Sequence, residues 1–358
     1  MFAGGRAHRV LFTSRAGRGL AHPRKNLRLR ELRAPGKTRA HGARQPRRRG
    51  PLVLRALRSL ILSAANSPRV GAFVRRYGDR FGAKRFVAGE TLDEFLDAAR
   101  AANEQGFAVA AGILGEGVTS AQEAGEATDR YCELLRIFRE RGLDANVAFK
   151  ATHVGLDVDP DLAYENARRI AQTAAETQNT MRLDMEQSSY VDRTLHLYRR
   201  LRSEFDNVGC VLQSYLYRSR ADLRAMLELR PNIRIVKGAY LEPPDVAFAK
   251  KRDVDEQYVR LACEALDNGC YTAIATHDPS IVARMRTFAE QKGLPKRGRF
   301  EFQMLYGIAA PAARELVDAG YRVRLAIPVG ENWFPYLMRR LAERPANVAF
   351  VLKGMLRR

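Results

Sequence analysis

Two hydrophobic periods alternate along most of this chain. Short apolar or β-branched runs at 107–114, 146–150, 180–184, 208–213, 233–237, 271–276, 300–303 and 322–327 read as buried strands. Between and after them, apolar positions recur at helical spacing over 120–141, 160–177, 191–205, 220–229, 254–268, 280–292, 311–320 and 333–343. Eight strand–helix units in one run predict an α/β fold of the closed (β/α)8 type, with an open doubly wound sheet as the second choice. Ahead of them, Leu52, Leu54, Leu57, Leu60 and Ile61, then Val70, Phe73, Val74 and Tyr77, have roughly helical spacing. A better marked helix follows, with Thr91 as cap, Glu94 completing a capping box, and Leu92, Phe95, Leu96 and Ala99 along one face. The expected organisation is a basic arm at 1–50, N-terminal helices at 51–106 and a catalytic barrel at 107–358.

Charge changes the picture at one end only. Of the net +21, residues 1–50 carry +14, with Glu31 their single acid. The stretch Gln45-Pro46-Arg47-Arg48-Arg49-Gly50 is typical of an arm rich in Arg, Gly and Pro and lacking hydrophobic periodicity, so disorder is expected there. The arm mimics a mitochondrial transit peptide in composition. It also suits a nucleic-acid-binding arm, although only Phe2 and Phe12 interrupt it, and an extension foreign to the native protein. No run approaches the roughly 18 apolar residues of a membrane span. Cys132, Cys210, Cys263 and Cys270 form no CxxC pair, and the histidines form no HExxH, so no metal centre is indicated.

In a barrel, the chemistry sits where strands end. Those ends carry Glu116, then Lys150 with His153, then Asp184 with Glu186, then Gln213 with Tyr215 and Tyr217. Lys237 and Tyr240, Thr276-His277-Asp278 and Gln303 follow. Each alone fits a cap or a loop-satisfying group; together they make a polar rim. Arg234 stands inside a β-branched strand that stops at Gly238, and a buried cation calls for a partner. The plain alternative is a structural ion pair with a carboxylate on the next strand. In the last helix Tyr336, Arg339, Arg340 and Glu343 share one face, with Pro335 suited to its first turn. Two guanidiniums there, with Lys150, suit forked binding of a carboxylate, against the alternative of a solvated charged face.

Six ordered stretches carry a family resemblance. They are Arg234 to Tyr240, Leu183-Asp184-Met185-Glu186, Gln213-Ser214-Tyr215, Ala275-Thr276-His277, Phe302-Gln303-Met304-Leu305-Tyr306-Gly307, and Tyr336-Leu337-Met338-Arg339-Arg340-Leu341-Ala342-Glu343. Together they resemble monofunctional proline dehydrogenase, from about Leu52 to the C-terminus. The resemblance implies a flavin-dependent (β/α)8 barrel with its eighth helix over the mouth. It implies oxidation of L-proline to Δ1-pyrroline-5-carboxylate in proline catabolism, with electrons passing from FAD to a membrane quinone. Carried over by position, Arg234 would lie against the flavin N5 region and Gln213 would hydrogen-bond the ring. Met185 would touch FAD through its backbone, and Lys237, Gly238, Ala239, Thr276 and His277 would hold the rest. Lys150, Arg339 and Arg340 would grip the substrate carboxylate, Tyr240, Leu305 and Tyr336 would pack on its ring, and Glu343 would orient Arg339. Asp184, close to Lys150, is expected to fix that lysine or help accept the amine proton. A cytoplasmic protein, peripheral at the inner membrane face and able to associate with pyrroline-5-carboxylate dehydrogenase, follows from the same resemblance.

One position departs from the family. Where a tyrosine is common at the end of strand eight, this chain has Ala326. A smaller residue opens space above the ring, so 4-hydroxyproline or another cyclic imino acid is the alternative substrate. A lysine-dependent aldolase barrel, using Lys150 or Lys237, and a methylenetetrahydrofolate reductase are the other enzyme readings, and a nucleic-acid-binding protein using the arm is the non-enzyme one.

Overall fold

The computed structural model describes residues 91–115, 117–308 and 310–330. The basic arm, the helical spacing at 51–90, Glu116 and the helix expected at 333–343, with Tyr336, Arg339, Arg340 and Glu343, lie outside the described residues. Within them, eight parallel strands close into a barrel in chain order. They are β1 (Ala108–Ile113), β2 (Ala145–Lys150), β3 (Met181–Asp184), β4 (Val208–Gln213), β5 (Asn232–Val236), β6 (Tyr271–Ala275), β7 (Phe300–Leu305) and β8 (Val323–Val329). The open sheet is thereby excluded, because β1 pairs with β8 from Ala108 against Arg324 to Ile113 against Val329.

Helix α1 (Leu92–Glu104) precedes the barrel, and its capping box forms as the sequence predicts, with the Glu94 N–H on Thr91 Oγ1 and the Thr91 N–H on the Glu94 carboxylate. The connecting helices are α2 (Ala121–Glu140), α3 (Pro160–Glu176), α4 (Val191–Arg202), α5 (Ser219–Arg224), α6 (Lys251–Asp267), α7 (Pro279–Gln291) and α8 (Ala310–Asp318). Asp159 and Asp278 cap α3 and α7, each followed by a proline whose missing N–H costs nothing in the first turn. The single helix expected over 220–229 is instead α5 and a separate 3-10 turn at Leu227–Leu229. Arg230 then takes φ 45° ahead of Pro231, a neighbour that disfavours helical backbone at the preceding residue.

The strands present two chemically different faces. Outward residues such as Val147, Leu183, Ile233, Ile235 and Ile274 join one apolar core with Leu135, Ile170, Leu201, Leu261 and Met285 of the helices. Inward, where such barrels usually stack branched aliphatics, this one buries Arg182, Arg234, Arg324, Glu301 and Gln303. Alanines in register leave them room: Arg234 lies beside Ala273, with Val211 on its other side, and Gln303 lies between Ala275 and Arg324. Gly209 has the same purpose, since a Cβ there would meet the Asn232 carbonyl at 2.8 Å and Arg182 Nε at 3.2 Å. Across that gap Arg182 reaches Asn232 Oδ1 at 2.5 Å.

Candidate active site

Arg234 is the centre of the polar mouth. Its Nη1 forms a 2.5 Å ion pair with Asp184, and its Nε donates to Gln303 Oε1 at 2.6 Å. The carboxylate partner lies on β3, two strands away, and not on an adjacent strand. Lys150 stands directly across the β2–β3 pair from Asp184. Asp184 thus stands between two cations, ion-paired with Arg234 of β5 and in register with Lys150 of β2. Below Gln303, its Nε2 donates to Glu301 at 2.5 Å, Glu301 pairs with Arg324 Nε at 2.9 Å, and Arg324 Nη1 donates to the Val109 carbonyl at 2.7 Å. Glu301 is 1 % exposed; burial opposes its charge, but Arg324, Arg182 and the Gln303 amide prevail and hold its pKa at about 2. Three inward guanidiniums thus face two carboxylates, and the floor of the mouth is electropositive.

The rim is tied together from strand to strand. Glu186, buried after β3, accepts from Thr152 Oγ1 at 2.8 Å, while its carbonyl takes the Gln213 Nε2–H at 2.8 Å. One residue therefore joins the ends of β2, β3 and β4. Its carboxyl pKa is raised by burial, against the lowering effect of Thr152 and Lys150. Met185 beside it is buried. Gly238 takes φ 114°, and any Cβ there would fall 2.2 Å from the Tyr215 ring. Only glycine permits this approach of backbone to aromatic ring. Glu242 holds the surrounding loops, accepting from the Ser188 N–H at 2.7 Å and Oγ at 2.5 Å and from the Tyr215 hydroxyl at 3.4 Å.

Lys237 stands in an ion network. Its Nζ is held by Asp255 at 2.6 Å and Asp278 at 2.8 Å, in a cluster that Lys251 also joins. The network anchors the ammonium between α6 and the cap of α7, and with it the loop that carries Gly238 and Ala239. On β6 and β7, Thr276 Oγ1 accepts from the Asp278 N–H at 3.1 Å, and His277 Nε2 accepts the Leu305 N–H at 2.9 Å. The accepting Nε2 carries no proton, which fixes the form of that imidazole. Tyr240 and Leu305 are half-buried at the same end of the barrel. Leu305 lies beside Ala326 in the β7–β8 pairing.

His153, one turn past Lys150, is buried and shares a 2.9 Å hydrogen bond with the Tyr131 hydroxyl. Burial first, then Lys150 and Arg130, push its pKa down to about 4, so it is neutral at physiological pH. It lines a cleft of about 320 Å³ with Gly115, Thr119, Glu123 and Arg130. The strand ends of the sequence mark His153, Glu186 and Gln303 without assigning them a role, and Glu301, Arg324 and Glu242 are not among those ends. Glu301 and Arg324 were detectable in principle, since each keeps the inward phase of its strand.

No cluster of metal-binding side chains occurs among the described residues, and none of their helices is long and apolar enough to cross a membrane. A closed (β/α)8 barrel whose strand ends converge on a clamped, buried arginine defines a barrel enzyme with its site at the C-terminal face. A family model described as proline dehydrogenase matches residues 95–353. Proline dehydrogenase 1 of Bacillus subtilis strain 168 is 40% identical over 302 residues, which are 84% of this chain and 100% of the relative. The proline dehydrogenase of Deinococcus radiodurans is 42% identical over 305 residues, 84% of this chain and 98% of the relative. A crystal structure of proline utilization A from Bdellovibrio bacteriovorus, inactivated by N-propargylglycine, superposes with TM-score 0.71 at 27% identity. That match covers 81% of this chain and 36% of the larger protein, so the chain spans about a third of it. The chain belongs to the proline dehydrogenase family and is an oxidoreductase.

Proposed function

We propose that this barrel oxidises L-proline to Δ1-pyrroline-5-carboxylate with FAD, in proline catabolism, and passes the electrons to a membrane quinone. The observation that carries the proposal is Arg234, buried at the barrel mouth and gripped at Nε and Nη1, with Nη2 engaged by neither bond. The residues present fit a flavin. Gly238 lets the backbone of 237–239 approach closely where the Tyr215 ring forms one wall, the floor is electropositive, and Gln213 is oriented by the Glu186 carbonyl. Arg234, Gln213, Met185, Gly238, Ala239, Thr276 and His277, with the Lys237 backbone, would hold the cofactor. FAD, when bound, supplies the hydride acceptor; the protein supplies position and charge.

The substrate end follows from charge. Lys150 stands at the mouth as a cation for a carboxylate, and Arg339 and Arg340 are assigned to the same carboxylate, with Glu343 orienting Arg339. Tyr240, Leu305 and Tyr336 would flank the ring, whose C5–H must face the flavin at near-contact distance. Asp184, which holds Arg234 on one side and stands beside Lys150 on the other, would take up a proton from the substrate amine. The Lys237 ion network argues against Schiff-base chemistry at that lysine. The product is an electrophilic imine, so a pyrroline-5-carboxylate dehydrogenase is the fitting partner. The assigned place is the cytoplasmic side of the inner membrane, where the quinone is reached peripherally.

The test is the identity of the flavin released on denaturing the purified full chain. FAD in near-stoichiometric amount is expected, and the same from a chain lacking residues 1–50. FMN, or no flavin after reconstitution with FAD, overturns the cofactor assignment.

A further inference from the structure

Resting on the flavin reading above, we propose that Glu301 and Gln303 are positioning residues that set the orientation of Arg234. A glutamine amide can present either its oxygen or its nitrogen, and the two ends differ by under one atom's width. What decides the matter for Gln303 lies two residues back on the same face of β7. Glu301 is buried and ionised, so it is an acceptor only, and Gln303 Nε2 must point toward it. Oε1 is then the atom left for Arg234 Nε.

The donors converge on Glu301 from both sides. The Val109 carbonyl accepts from Arg324, Arg324 donates to Glu301, Gln303 donates to Glu301, and Arg234 donates to Gln303 and to Asp184. Turning the Gln303 amide over would set donor against donor at Arg234 and acceptor against acceptor at Glu301. Arg322, 3.3 Å from the second Glu301 oxygen and 2.7 Å from Asp144, holds the carboxylate from below. With Gln303 in place the Arg234 guanidinium is fixed at two nitrogens; with Asp184 alone it is fixed at one and can swing about that contact. Glu301 thus never touches the reacting atoms, yet it orients the cation that does.

Gln303→Met is the direct test, since it removes the link to Arg234 and leaves the Glu301–Arg324 pair in place. In the FAD-loaded full chain, the expected result is a 10- to 100-fold lower kcat with L-proline and a KM within threefold of wild type. The bound flavin is retained, but its reduction potential, read by dye equilibration, is more negative because a positive charge near it is less well placed. Glu301→Gln acts on Arg234 only through Gln303, and should move kcat and potential in the same directions by less. It also keeps the proposal testable where Gln303→Met fails to fold. Unchanged potential and kcat in a folded Gln303→Met, or a Glu301→Gln that loses thermal stability alone, would overturn the positioning role. A wild-type protein that holds no flavin sinks the underlying reading instead, and is seen before either variant is made.

Discussion

Arg234→Met lowers kcat with L-proline by about 10² to 10³-fold, the usual cost of removing one preorganised charge from an active site. Methionine matches the length of the aliphatic stem, so the barrel loses the guanidinium and little volume. Two groups are released by the change. Asp184 is about one-third exposed and can be hydrated, whereas Gln303 Oε1 is left buried without its donor. Stability therefore falls, but by less than the 3–5 kcal/mol of a fully buried pair broken on one side. Arg234→Lys separates charge from geometry: an ammonium cannot grip Asp184 and Gln303 together as the planar fork does, so an intermediate rate is expected. Steady-state kinetics on the flavin-loaded variants, with bound flavin quantified, provide the check. A fully active Arg234→Met would reduce the residue to the structural ion pair that the sequence also allowed.

The second large effect is on stability below neutral pH. His153 is held near pKa 4 in the fold, against 6.5 for a free imidazole. A depressed folded pKa means that the unfolded chain binds the proton first, so this contribution is complete above pH 6.5 and is lost as pH falls toward 4. Its size is on the order of 3 kcal/mol, at about 1.4 kcal/mol per unit. Glu186 acts in the opposite sense, because its raised carboxyl pKa favours the folded state as pH falls. The informative quantity is accordingly the difference between proteins. His153→Gln keeps a polar partner for Tyr131 but has no titration, and its urea-unfolding free energy should fall less than wild type between pH 6.5 and 4. Parallel curves for the two proteins would show that His153 is not held neutral by burial.

The architecture was legible because each strand was a short apolar run bounded by turn residues, and 208–213 was read to the residue. The mouth was legible for the same reason: strand ends are where polar residues have no place in a core. Arg234 stands out as a cation flanked by Ile233 and Ile235 in a β-branched run, and its partners Asp184 and Gln303 are both among the strand ends. Which carboxylate it would choose was not legible, because strands two apart meet only across a closed barrel. Lys237 shows the same limit. That Asp255, in the following helix, and Asp278, at the next helix cap, converge on its ammonium is a tertiary fact that no local pattern announces. Glu301 keeps the inward phase of its strand, but that an acid is stable there follows only once its cations, Arg324 and Arg322, are known to lie beside it.

Ala326, half-buried beside Leu305, bears most directly on the choice of substrate. The deciding measurement is anaerobic titration of the purified, FAD-loaded chain with L-proline and, separately, trans-4-hydroxy-L-proline, following flavin absorbance at about 450 nm, a band common to oxidised flavins. Bleaching by L-proline at lower concentration than by the hydroxylated imino acid is the expected result. Stronger bleaching by hydroxyproline would reassign the substrate to the space that Ala326 opens. A flavin that neither imino acid reduces would contradict the proposed reaction outright.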